Sequence, residues 1–115
     1  MSIAAELLFW LLGIFFLYGA INNFLARGNL RETYRQWGYP EGFHLVTAGL
    51  EFIAAILLVF PSTRIFGAAL ASCVMIAATA TLLRAGLHKP AIIPAIVLAF
   101  SSLGIAVAYV AAPVA

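Results

Sequence analysis

Apolar residues in this chain gather into four long runs, at about residues 3–25, 43–60, 65–83 and 91–110. Each is close to the roughly 20 residues that an α-helix needs to cross about 30 Å of hydrocarbon. Membrane β-strands would be runs of about ten residues with alternating polarity, and no run here alternates. The pattern therefore predicts an all-α membrane protein, a four-transmembrane-helix bundle forming a single domain over residues 1–115. Pro61-Ser62-Thr63-Arg64 reads as a tight turn that makes the second and third spans an antiparallel hairpin. Pro90 and Pro94 fall near the start of the fourth span, where a missing N–H costs little; a helix beginning at Pro90 would be bent slightly by Pro94.

The first connection, residues 26–42, has a pattern of its own. Asn29 with Glu32 three positions later resembles a capping box. Leu30, Tyr34 and Trp37 fall on one helical face, with Arg31, Glu32, Arg35 and Gln36 on the other. This predicts a short interfacial amphipathic helix, ended by Gly38-Tyr39-Pro40, whose aromatic rings suit the headgroup region.

Composition supports a bilayer as the solvent. The chain is 65% hydrophobic and 9% charged, against about 25% charged for an average soluble domain. The net charge of +2 comes with no nucleic-acid-binding motif. The single cysteine, Cys73, excludes an intrachain disulfide and is expected to be a small buried apolar residue. The segment up to Leu8 carries Glu6 and no Lys or Arg, unlike the basic start of a signal peptide. Arg27, Arg31, Arg35, Arg84 and Lys89 lie in the first and third connections, and Arg64 alone lies in the second. The excess of basic residues places the long loops in the cytoplasm and both termini outside.

The candidate chemistry lies within the spans. Glu51, in the second span, is roughly 12 Å deep by helical rise. Ionised and unpaired at that depth it would cost several kcal/mol, so it should face the bundle and find a partner or a proton. His44, Thr47 and Glu51 share one face at i, i+3 and i+7. Tyr18 and Asn22, one turn apart on the first span, fall near the same level, as do Thr79, Thr81 and the terminal Arg84 of the third. Glu51, Tyr18 and His44 are the candidate catalytic groups; Asn22, Thr47, Arg84 and Thr79 are the candidate ligand-binding groups. Hydrogen bonds that merely join helices are the alternative for each residue singly. The pairs Gly67/Ala71, Ala68/Ser72, Ala95/Ala99 and Ser102/Ala106 allow close helix approach, within the chain or in a homo-oligomer. No metal-ligand, heme, flavin or iron–sulfur motif is present.

Trp37-Gly38-Tyr39-Pro40, followed by Gly49-Leu50-Glu51, Leu57-Leu58 and Pro61, resembles the DoxX-like family, with Gly67, Met75 and Ala78 compatible. The resemblance runs from about Asn22 onward and implies a small four-helix protein of the bacterial inner membrane, in which Glu51 matches the family acid. It also implies a link to redox or sulfur metabolism through a redox partner protein. Relatives often carry a Lys where this chain has Asn22-Asn23 and a His near Leu82, so a redox or proton role that used those side chains is in doubt.

Three functions follow as expectations. The first is a site for a small lipophilic ligand, quinone- or isoprenoid-like, in which Glu51 and Tyr18 hydrogen-bond its polar group. The second is a cofactor-independent membrane enzyme (isomerase, cyclase or epoxide hydrolase) with Glu51 as general acid or base. The third is a small proton-coupled transporter, although small multidrug exporters carry their acid in the first helix.

Overall fold

The computed structural model describes residues 2–25 and 29–111. Within them the chain forms α1 (Ile3–Leu25), α2 (Leu30–Gln36), α3 (Phe43–Val59), α4 (Arg64–Arg84) and α5 (Ile92–Ala111), with a single 3-10 turn at Pro61–Thr63. Three of the helices, α1, α4 and α5, are long and apolar enough to span a membrane, and α3 is a shorter apolar helix of 17 residues. The four runs of the sequence and the short helix after the first are therefore all present.

The bundle measures 46 × 25 × 22 Å. α1 packs on α3, α3 on α4, and α4 on α5. Phe9, Leu12 and Phe16 of α1, Ala54, Ala55 and Leu58 of α3, and Ala68, Ala71 and Met75 of α4 form the core. Small residues on α3 and α4 let the helix axes approach while the α1 rings fill the remaining space. The outward faces carry Leu7, Leu11, Ile14, Phe52, Ile53, Phe66, Ile93 and Leu103, all exposed. Such a surface suits lipid and would be sticky in water.

The α3–α4 crossing is tightest beside the turn. A Cβ on Gly67 would stand 2.7 Å from the backbone nitrogen of Leu58 and 2.8 Å from the carbonyl carbon of Leu57. Only glycine permits that approach. At the same end Arg64, 2% exposed, grips the end of α3: its Nε donates to the Leu58 carbonyl (3.0 Å) and its Nη2 to that of Val59 (3.2 Å). Both Nη atoms also donate to the Glu6 carboxylate of α1, at 3.0 and 2.8 Å, and the guanidinium lies 5.0 Å from the Phe9 ring centroid. One side chain thus ties α1, α3 and α4 together.

Several local expectations are corrected. Asn29 precedes α2, but its side chain makes no cap; its carbonyl takes the Thr33 amide and hydroxyl, while Glu32 turns outward to Arg35 (3.1 Å). Cys73 is exposed on the apolar outer surface of α4 rather than buried. α5 begins at Ile92, not Pro90, so Pro94 lies in its first turn, where no helical N–H is required. Of the small-residue pairs, Gly67/Ala71 and Ala68/Ser72 are buried within the chain, whereas Ala95, Ala99, Ser102 and Ala106 are exposed.

Candidate functional site

At the α2 end, away from the Gly67 crossing, α3 and α4 are separated by a cavity of about 310 Å³. That is at the lower end of the roughly 300–1,000 Å³ typical of small-molecule sites. Leu50, Val74, Met75, Ala77, Ala78 and Leu82 give it apolar walls, and Tyr34, Trp37, Tyr39 and Phe43 close it towards α2. Leu50 and Ala77 are also exposed on the outer surface, so the cavity opens sideways between α3 and α4.

Glu51 stands on this cavity, 4% exposed. Its Oε1 accepts a 2.6 Å hydrogen bond from the Asn23 Nδ2, which also donates to the Gly19 carbonyl at 2.9 Å. The Tyr34 hydroxyl donates to the Asn23 Oδ1 at 2.7 Å. The amide orientation is forced, because the Gly19 carbonyl can only accept; Oδ1 must then be the atom that receives the Tyr34 proton. The other carboxylate oxygen, Oε2, occupies the space that a side chain on Gly19 would take. Tyr34, on the interfacial helix, has its phenol pushed above the ordinary tyrosine range by burial, so it keeps the proton it gives to Asn23.

The aromatic cover is latched as well as stacked. Tyr39 lies on Phe43 with ring centroids 4.4 Å apart and planes 13° from parallel. Tyr34 meets Trp37 edge-on and Tyr39 at a tilt, each with ring centroids 5.6 Å apart. The Tyr39 hydroxyl is hydrogen-bonded to Thr81 of α4. Thr81 gives its own proton to the Ala77 carbonyl (2.8 Å), so Tyr39 is the donor in that pair. Gly38 and Gly42, with φ of 88° and 81°, supply the left-handed backbone that turns Tyr39 back over the cavity.

The residues singled out from sequence divide between two groups. Glu51 and Thr47 line the cavity. Tyr18 does not join them: it is 62% exposed on the far face of α1. Asn22 is half-buried and outside the cavity lining; its neighbour Asn23 is the partner of Glu51. His44 is 5% exposed, and its Nε2 has no hydrogen-bond partner among the described residues. It borders a separate cavity of about 40 Å³ with Tyr34, Tyr39 and Glu41 rather than the Glu51 cavity. Thr79 is likewise absent from the lining, its hydroxyl unpartnered among the described residues, and Thr81 takes the place expected for it. Arg84 does not reach inward to Glu51; it is exposed, with Nη2 3.4 Å from the Trp37 carbonyl. Asn23, Tyr34 and Tyr39 are thus additions to the site. Among the described residues no three His, Cys, Asp or Glu side chains are grouped to hold a metal ion.

Comparison with curated proteins and with solved structures gives no match. A family model does match, over residues 7–104, which takes in α3 and α4, most of α1, the first part of α5 and the whole Asn23–Tyr34–Glu51 constellation. The chain belongs to the DoxX-like family of membrane proteins.

Proposed function

We propose that the protein binds a small lipophilic molecule, of quinone or isoprenoid type, in the cavity between α3 and α4, with Glu51 and Asn23 engaging its polar group. The observation that carries this reading is the combination of an apolar cavity open sideways with a buried carboxylate at its wall. A molecule dissolved in the bilayer would enter between α3 and α4 without crossing water. It would bury an apolar body against Met75, Ala78 and Leu82 and meet the site's hydrogen-bonding groups at Glu51. The excess of basic residues in the first and third connections favours the cytoplasmic side for the α2 end of the cavity.

Trp37 lines the cavity and Trp10 is the only other tryptophan, so Trp10→Phe leaves Trp37 as a reporter. In that background, titration with farnesol in lipid nanodiscs should change Trp37 emission saturably. Adding Ala78→Phe, which fills part of the cavity with a ring, should weaken the response by about tenfold or more. A non-saturable response, or one unchanged by Ala78→Phe, would overturn the reading.

A further inference from the structure

We infer that the cavity selects a ligand that donates a hydrogen bond, a lipophilic alcohol or quinol, over the carbonyl form of the same skeleton. The inference rests on the ligand-binding reading above and goes on to name the oxidation level of the ligand's polar group.

The donor protons of the side chains around Glu51 are already committed. Asn23 has two amide protons, and both are spent, on Glu51 Oε1 and the Gly19 carbonyl. The Tyr34 proton is spent on Asn23 Oδ1, the Tyr39 proton on Thr81, and the Thr81 proton on the Ala77 carbonyl. Thr47 has the Phe43 carbonyl at 3.4 Å and the Tyr34 phenol oxygen as acceptors for its one proton. The second carboxylate oxygen of Glu51 is packed against Gly19 of α1. Trp37, which also lines the cavity, is the C-cap residue of α2, at the interfacial end of the lining.

With Glu51 as the carboxylate, the inner end therefore offers lone pairs: the oxygens of Glu51 and the second lone pair of Asn23 Oδ1. A hydroxyl brings the proton those atoms need and completes the set. A ketone, aldehyde or quinone brings only further lone pairs, sets them against a carboxylate, and leaves the buried acceptors unpaired. A buried polar group without a partner is expensive, so the two forms should differ sharply although their apolar bodies are alike. The same logic makes the acid a specificity group: Glu51→Gln keeps an oxygen for Asn23 and adds N–H donors that a carbonyl can use.

The test is a matched pair, farnesol and farnesal, titrated against Trp37 emission in the Trp10→Phe protein in nanodiscs. The alcohol should bind about tenfold to a hundredfold more tightly, the range expected for a hydrogen bond to a charged group. In Glu51→Gln the ratio should fall to about one or reverse. Equal affinity in the parent protein, tighter binding of farnesal, or a preference for farnesol that survives Glu51→Gln would each overturn the inference while leaving a ligand site in place. Absence of binding by both compounds would sink the ligand-binding reading and the inference with it.

Discussion

Gly67→Leu is expected to prevent the bundle from closing. The atoms that a Cβ would meet, Leu58 N at 2.7 Å and the Leu57 carbonyl carbon at 2.8 Å, belong to the backbone of α3, so no rotamer relieves the overlap. Even alanine must push α3 and α4 apart, at a cost of about 1–3 kcal/mol for overpacking; leucine adds three further carbons to the same gap and should exceed about 3 kcal/mol. Gly49 is the internal control. A Cβ there meets nothing within 4 Å, so Gly49→Ala should be neutral or slightly stabilising, since alanine favours a helix more than glycine does. Unfolding by SDS in mixed micelles, followed by circular dichroism, should show Gly67→Ala shifted to lower SDS and Gly67→Leu without a folded baseline. A Gly67→Leu protein that unfolds with the midpoint of the wild type would contradict the crossing described above.

Arg64→Met should cost about 3 kcal/mol in the same assay. Methionine replaces much of the apolar stem but none of the donors. The carbonyls of Leu58 and Val59 lose their guanidinium bonds, and they belong to the last turn of α3, where carbonyls have no helical N–H to take. Losing partners for buried acceptors costs about 1–3 kcal/mol each. Glu6→Gln should cost less than about 1 kcal/mol, because the Glu6 side chain is 41% exposed and a glutamine still offers an acceptor to Arg64. Equal losses in the two variants would mean that the ion pair, rather than the grip on α3, carries the stabilisation.

How much of this was legible in the sequence depends on how each residue signals its surroundings. The helices were, because uninterrupted apolar runs of spanning length leave little choice of structure. So was the burial of Glu51 beside a polar partner, because lipid offers a carboxylate nothing else. The identity of that partner was missed by one position. α1 is so uniformly apolar that Tyr18 and Asn22 supplied the visible polar face, yet the face that meets α3 carries Phe9, Phe16 and Asn23 at seven-residue spacing, with Gly13 and Gly19 beside them. Had the bulky-and-small pattern been followed along α1, it would have led to Asn23. Tyr39 was read as an interfacial ring; its latch to Thr81 depends on a chain reversal set by Gly38 and Gly42. Arg64 was counted as a loop charge and Glu6 as a mark against a signal peptide, although the topology places the two at the same end of the bundle. Asn23 and Leu82 both border the cavity.

The most direct test of the ligand site uses the protein as the membrane delivers it. The wild type and Ala78→Phe would be purified in parallel under mild detergent, extracted with organic solvent, and their small molecules compared by mass spectrometry, with native mass spectrometry giving the stoichiometry. The wild type should carry a lipophilic compound that Ala78→Phe has lost while remaining folded. No compound bound to the wild type, or the same compound in equal amount on both proteins, would contradict the assignment of the Glu51 cavity as a ligand site.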